Sequence, residues 1–499
     1  MSEEILKPEE LDAKARAILK LIQSRKQQGL TPRDRIAIPV QDMPSQDPLV
    51  RAKTVTEVAL GYSEGQARVE AERCLGCRNA PCVGGCPVGV PIPRFIAEIQ
   101  KGDFKAAVDI VKQTNLLPAV CGRVCPQEKQ CQAECTLGKS LKSVEKAVAI
   151  GRLERFVADW ERNNGKVTTP TVKFSTGKKV AVIGSGPAGL TVAADLARVG
   201  HEITIFEALH KVGGVMAYGI PEFRLPKSIV QAEVNTLTAM GVHIETNFLV
   251  GRTGSLEELF SNDGYDAVFI GAGAGLPKFL DIPGEHLAGV LSANEYLTRA
   301  NLMKAYEPGK AATPMFESKV VVVVGGGNVA MDAARMALRL GAEQVHVVYR
   351  RTRTEMPARA EEVAHAEEEG VIFDFLRNPT RILGNELAQI ANIELQKFEL
   401  GAPDASGRRS PVPIASSEYL FECDTVIVAL GNEPNPLLPR TVPNLETDKR
   451  GRIVVNADQK TSLDAVYAGG DIVLGAATVI LAMGDGRKAA AAINAQLSA

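Results

Sequence analysis

Cys74, Cys77, Cys82 and Cys86 fall within thirteen positions, and a second group, Cys121, Cys125, Cys131 and Cys135, follows forty residues later. Of the nine cysteines in the 499-residue chain only Cys423 lies outside this region. The spacings are Cys74-x2-Cys77-x4-Cys82-x3-Cys86-Pro and Cys121-x3-Cys125-Pro-x4-Cys131-x3-Cys135. Thiolates this close together can hold a soft metal or an iron–sulfur cluster, and they can also exchange electrons as disulfides. The cytoplasm is the expected compartment, since the N-terminus has no signal-like apolar stretch, and thiols there stay reduced. That favours metal ligation over structural disulfides, with tetrathiolate zinc as the rival to iron–sulfur.

The elements around the cysteines must be short helices. In residues 93–114 apolar side chains recur at three- and four-residue spacing, which predicts a small helical domain over 61–176. Residues 1–60 are polar, with an amphipathic helix expected over 11–22, and read as an arm packed on a neighbouring domain or subunit. Residues 161–179 have no periodicity and read as a linker. Beyond them strand and helix signals alternate, as in a parallel sheet covered by helices.

Two strand–turn–helix–strand units follow. In the first, Gly184, Gly186 and Gly189 come directly after an apolar strand at 180–183, with Ser185 and Ala188 between them, and open a helix. Such glycines permit the tight turn, the approach of a pyrophosphate and close helix–strand packing. Free amides and the helix dipole at the helix start favour the phosphates. Glu207 ends the next strand, where a carboxylate can bind a ribose diol. The second unit reads Gly325, Gly326, Gly327, Asn328, Val329, with Ala330 in place of the third glycine. Its second strand ends in Arg350, Arg351 and Arg353 rather than an acid. Guanidinium groups there would bind a ribose 2′-phosphate, so NADP(H) is expected over NAD(H). Two nucleotide units imply two nucleotides.

Composition removes other classes of function. The net charge of −2 gives no general attraction to nucleic acid or anionic membrane, and the longest apolar runs are far shorter than a membrane-spanning helix.

Paired glycines at 213–214, an apolar strand running into glycines at 266–274, and Gly-Gly-Asp at 469–471 accompany the two units. Together these patches resemble two-dinucleotide-domain flavoprotein reductases related to glutathione and thioredoxin reductase. The resemblance implies an FAD domain over 177–300 and 425–499, with an NADP(H) domain, 301–424, inserted. It also implies that Asp471 meets the ribityl-phosphate part of FAD and that Thr478 and Val479 approach the isoalloxazine. Those reductases pass electrons to a cysteine pair, and neither unit here has one. The outlet must then be the N-terminal cysteines, whose Cys-Pro groups resemble the ferredoxin type of run, in which the last cysteine before proline serves a second cluster.

With the cysteine groups, "LPAVCGRVCPQEKQC", "GSGPAGL", "GIPEFRLPK", "GGGNVAMDAAR", "RRTRTEMPAR" and "AGGDIV" in this order, nearly the whole chain is similar to a known family. It comprises the small subunit of NADPH-dependent glutamate synthase, the large subunit of NADH-dependent reduced ferredoxin:NADP oxidoreductase and the N-terminal part of dihydropyrimidine dehydrogenase. The implied fold is α/β, an N-terminal helical two-cluster iron–sulfur domain followed by two Rossmann-like dinucleotide-binding domains. The implied cofactors are FAD, NADP(H) and two [4Fe–4S] clusters. Cys74, Cys77, Cys82 and Cys135 would hold one cluster and Cys86, Cys125, Cys131 and Glu154 the other, with Cys121 as the alternative to Glu154. FAD would meet Gly184, Ser185, Gly186, Ala188, Gly189, Glu207, Gly214, Val215, Arg224, Val250, Asp471, Thr478 and Val479. NADP(H) would meet Gly325, Gly327, Asn328, Val329, Arg350, Arg351 and Gly431.

The expected chemistry is hydride exchange centred on the flavin, with no side-chain acid or nucleophile. Implied partners are a flavin and iron–sulfur subunit, as in the bifurcating ferredoxin:NADP enzyme, or a glutamate synthase large subunit, with ferredoxin a further electron partner. The stretch 57–90 is closer to the bifurcating relatives. A competing reading is a wiring subunit whose flavin never reacts with free nucleotide.

Overall fold

The computed structural model describes residues 6–26, 30–307, 309, 311, 315–405 and 407–499. Two five-stranded parallel sheets form its frame. The first runs, edge to edge, Val466–Ala468, Ala267–Ile270, Lys179–Ile183, Glu202–Glu207, His243–Thr246. The second runs Val290–Ser292, Thr425–Val428, Val320–Val324, Gln344–Tyr349, Ile372–Phe375. Their central strands are continuous Val, Ile and Ala runs buried on both faces, as parallel sheets require. Helix Pro187–Arg198 follows the first glycine turn and helix Asn328–Arg339 the second.

Val426 pairs with Val290 on one side and Val322 on the other. Val290–Ser292 and Thr425–Val428, both expected in the FAD part, therefore hydrogen-bond into the second sheet, and the boundaries at 300/301 and 424/425 cut through it. The reason is physical: three- and four-residue apolar strands carry no sign of which sheet will take them. A four-stranded antiparallel sheet, with strands Arg377–Gly384, Ile390–Pro403, Arg409–Pro413 and Tyr419–Glu422, is appended to the second unit.

The cysteine region is helical. Helices Ile92–Lys101, Phe104–Val111, Pro118–Val124 and Ile150–Asn163 bury Phe95, Ile99, Val108, Val120, Leu153 and Val157 completely or nearly so. Two of them cross closely at Gly122, where a Cβ would come within 2.6 Å of the Arg155 amide nitrogen. That approach brings Cys121, Cys125 and Glu154 together. The same apolar core runs on without interruption into the helices on one face of the first sheet. Helix Pro8–Lys26 packs on helix Glu64–Glu72, and residues 164–178 have no regular structure and are largely exposed.

Candidate functional site

Cys74, Cys77, Cys82 and Cys135 line one cavity, closed by Ile92, Ile96, Leu137 and Ile150. The fourth cysteine thus comes from the second group. Cys86, Cys125, Cys131 and Glu154 form a second constellation in which each thiol feels the Glu154 carboxylate. The two groups meet at Gly85, where a Cβ would lie 3.0 Å from the Gln130 carbonyl oxygen and 3.2 Å from Cys131 Cα.

Burial pushes the Cys82 thiol up to about 12 and Cys86 up to about 11. Cys125, through its contact with Cys121 and its burial, and Cys131, through burial, are held well above the ordinary thiol range. Such thiols keep their protons unless a cation displaces them, which is the coupling that metal-binding thiols show. Burial likewise pushes Glu154 up to about 7, against the amide of Asn115, which donates to Oε1 at 2.7 Å. Among the described residues no three His, Cys, Asp or Glu side chains close on a single-ion point. The first thiols ring a cavity instead, which fits a group with several separate metal corners.

At the first sheet's C-terminal edge the three glycines do different work. Gly184 sits at φ 96°, and a Cβ there would meet the Gly271 carbonyl oxygen at 2.5 Å. A Cβ on Gly189 would lie 2.0 Å from the Gly184 carbonyl oxygen, so helix and strand pack through it. Gly186, the helix N-cap, faces open space with no atom within 4 Å of a Cβ, which is room for a phosphate against the first turn. Glu207 accepts from the Ser185 amide at 3.0 Å and from its hydroxyl, and from the Leu209 amide at 2.9 Å. Gly214 crosses over this turn, 2.8 Å from Gly186 Cα by its Cβ position, and begins the helical turn that Val215 opens. Val250 is buried beside Ile183 and Phe206. Asp471, pushed up to about 6 by burial, follows Gly470, whose Cβ position lies 3.1 Å from the Ala188 methyl. Thr478 caps helix Val479–Leu497 by accepting from the Leu481 amide.

Arg224 is the member of this set that the structure turns elsewhere. It donates to both Asp332 oxygens, at 2.7 and 2.6 Å, and faces Glu362 at 3.6 Å, all in the second unit. Among the described residues it makes no hydrogen bond or ion pair with the 184–189 turn. Lys227 nearby is buried against the Ile220 and Leu225 carbonyl oxygens and pushed down to about 8 by that burial.

The second turn repeats the first. Gly325 sits at φ 148°, where a Cβ would meet the Ala429 carbonyl oxygen, and Gly327 faces open space. Ala330 is fully buried where a third glycine would sit. Asn328 accepts from the Arg359 amide at 2.9 Å, Val329 is exposed, and Gly431 lies at the same sheet edge two residues past Ala429. The arginines divide. Arg351 is buried and donates to Asp404 at 2.8 Å and the Arg409 carbonyl oxygen at 2.8 Å, and Arg353 pairs with Glu367. Arg350 is exposed and has no ion pair among the described residues.

Sequence reading missed what joins these parts. Glu369 Oε1 takes Arg51 at 3.1 Å and Arg335 at 2.7 Å, while Oε2 takes Arg335 at 3.0 Å and Arg339 at 2.7 Å. The Phe223 ring lies under both Arg335 and Arg339. Met483, on the C-terminal helix, places Sδ 3.6 Å from Cys121 Sγ. Two arginines spaced i, i+4 on a helix look like a solvated face, and no local pattern marks them as buried.

Comparison with known proteins agrees with this geometry. Residues 51–166 match the family model "Dihydropyrimidine dehydrogenase domain II, 4Fe-4S cluster", and residues 178–496 match "Pyridine nucleotide-disulphide oxidoreductase". The chain is 38% identical over 457 residues to the glutamate synthase [NADPH] small chain of Escherichia coli, spanning 90% of this chain and 95% of that one. It is 40% identical over 469 residues to the NADP(+)-dependent formate dehydrogenase subunit beta of Moorella thermoacetica, covering 88% of this chain but only 64% of that longer protein. Among solved structures, FprA from Mycobacterium tuberculosis shares the fold of the dinucleotide part, with TM-score 0.54 and 21% identity over 64% of this chain and 85% of that one. Among the described residues no helix is long and apolar enough to cross a membrane. The chain belongs to the glutamate synthase small-chain family, NADP(H)-dependent oxidoreductase subunits that carry FAD and two [4Fe–4S] clusters.

Proposed function

We propose that this chain exchanges hydride between NADP(H) and FAD and delivers electrons singly, through its two clusters, to a partner subunit, as in a bifurcating NADH-dependent ferredoxin:NADP oxidoreductase. One observation carries the wiring. Helix Val479–Leu497 starts at the first sheet's edge and passes between the two domains. Its Gly486 packs on the Ala188 carbonyl oxygen, its Gly484 on the Pro87 carbonyl oxygen next to Cys86, and its Met483 on Cys121.

FAD, when bound, supplies the ability to take two electrons together and release them one at a time. The protein's own groups bind and orient. Gly186 and Gly327 leave helix starts open to phosphates, Glu207 ends its strand as a ribose acceptor, and Arg350 offers an uncommitted cation to a 2′-phosphate. The ion pair of Arg224 with Asp332 joins the two nucleotide units.

A second reading, the NADPH-oxidising small chain of a glutamate synthase, is favoured by similarity over 95% of such a chain. Co-purification separates the two settings. A large amidotransferase chain with glutamine-dependent glutamate formation supports the second, and a small flavin and iron–sulfur chain coupling NADH to ferredoxin supports the first. Anaerobic rapid mixing with NADPH tests the shared core: the flavin absorbance should bleach, and a flavin that does not bleach leaves only a passive wiring role.

A further inference from the structure

Cys86, Cys125 and Cys131 supply three thiols, and two side chains compete for the fourth position, Glu154 and Cys121. Asn115 stands between them, completely buried. Its amide cannot be turned over, because the Leu117 backbone N–H donates to Oδ1 at 2.9 Å and so fixes which side carries oxygen. The nitrogen side donates to Glu154 Oε1 at 2.7 Å. The oxygen side lies 3.7 Å from Cys121 Sγ, and Met483 Sδ lies 3.6 Å from the same sulfur.

The two competitors therefore sit in opposite environments. Asn115 Oδ1 and Met483 Sδ are both lone-pair acceptors, so a Cys121 thiol can donate to either. Glu154 instead has one oxygen tied to a donor, which fixes the carboxylate plane. Its Oε2 has no hydrogen-bond partner among the described residues.

We infer that Asn115 selects Glu154 over Cys121 as the fourth side chain of the second cluster site. Its N–H fixes the orientation of the Glu154 carboxylate. It is a positioning residue, since it acts through Glu154. The same device occurs widely around metal sites, where outer groups orient the ligands. The inference rests on the reading that Cys86, Cys125 and Cys131 hold a cluster.

The test uses the reduced holoprotein, with electron paramagnetic resonance spectra and iron and sulfide content as readouts. Cys121→Ala is made in three backgrounds: wild type, Asn115→Asp and Asn115→Leu. Asn115→Asp is isosteric and keeps the acceptor for Leu117, but it turns an acceptor toward Glu154; it decides the matter if Asn115→Leu does not fold. Cys121→Ala should leave both cluster signals unchanged in wild type and alter one of them in the Asn115 variants, because Cys121 becomes a ligand once Glu154 is released. If Cys121→Ala is silent in every background while Glu154→Ala alters one signal, the ligand set stands and selection by Asn115 is overturned. If Glu154→Ala is silent and Cys121→Ala alters the wild-type signal, the Glu154 reading itself is wrong.

Discussion

Met483 Sδ lies 3.6 Å from Cys121 Sγ, and through this pair of sulfur atoms the last helix of the first nucleotide unit touches the cysteine domain. The contact is direct, although along the chain the irregular segment 164–178 joins the two regions. A single apolar core spans both regions, so the distance between the flavin site and the second cysteine constellation is set by packing.

The crossing of cysteines between groups gives a prediction against naive counting. Cys135 belongs by sequence to the second group and by structure to the cavity of Cys74, Cys77 and Cys82. Cys135→Ala should remove or alter the signal of the first cluster, lower iron content by up to about half, and leave the second cluster's signal in place. Loss of the signal that Glu154→Ala affects would contradict the assignment.

Two neighbouring glycines should fail in different ways. Gly189→Ala forces a methyl to within 2.0 Å of a backbone oxygen, so it should destabilise the fold by about 1–3 kcal/mol or more, visible as a lower Tm even without FAD. Gly186→Ala meets open space, so the apoprotein should melt normally while FAD affinity falls. Equal Tm losses in both apoproteins would refute the division of roles.

The glycine turns, the alternation of strand and helix, and the separation of cysteine domain from nucleotide units were legible in the sequence because each is a local pattern with one physical cause. Gly186 and Gly189 could be told apart by position in the motif before any distance was known. Arg224 could not be placed: its partner, Asp332, is more than a hundred residues away on the other unit, and no local spacing encodes such a pair. The strands Val290–Ser292 and Thr425–Val428 joined the second sheet for the same reason, since register between distant strands is a tertiary property. Arg350 and Arg351 are adjacent and alike in sequence, yet only the fold shows Arg351 committed to Asp404.

That division predicts nucleotide choice. Arg350→Ala should weaken NADPH by about 10–100-fold, the worth of one or two charge-assisted hydrogen bonds, and change NADH by less than about threefold. Arg351→Ala should act mainly on stability, through the hairpin that Asp404 and Arg409 anchor. Steady-state KM values for both nucleotides and melting curves check both statements. Equal weakening of NADPH and NADH by Arg350→Ala would remove the 2′-phosphate role.

Glu369 predicts the response to acid. Burial by itself would raise its carboxyl, but Arg335 and Arg339 outweigh that and hold it at about 2, against an ordinary 4.5, with Arg51 on the same oxygen as Arg335. A carboxylate depressed in the folded state stabilises above its unfolded value and loses that contribution as pH falls. Stability should therefore decline between about pH 4.5 and 2. Glu369→Gln leaves Arg51 and Arg335 buried without their shared carboxylate, so it should cost about 3–5 kcal/mol at neutral pH. The same variant should show a shallower fall in stability across the acid range, because the group that titrates there is gone. Urea unfolding at several pH values measures both. A variant as stable as wild type at pH 7, or one with the same acid dependence, would show that the cluster of Arg51, Arg335, Arg339 and Glu369 does not hold the N-terminal segment to the second unit.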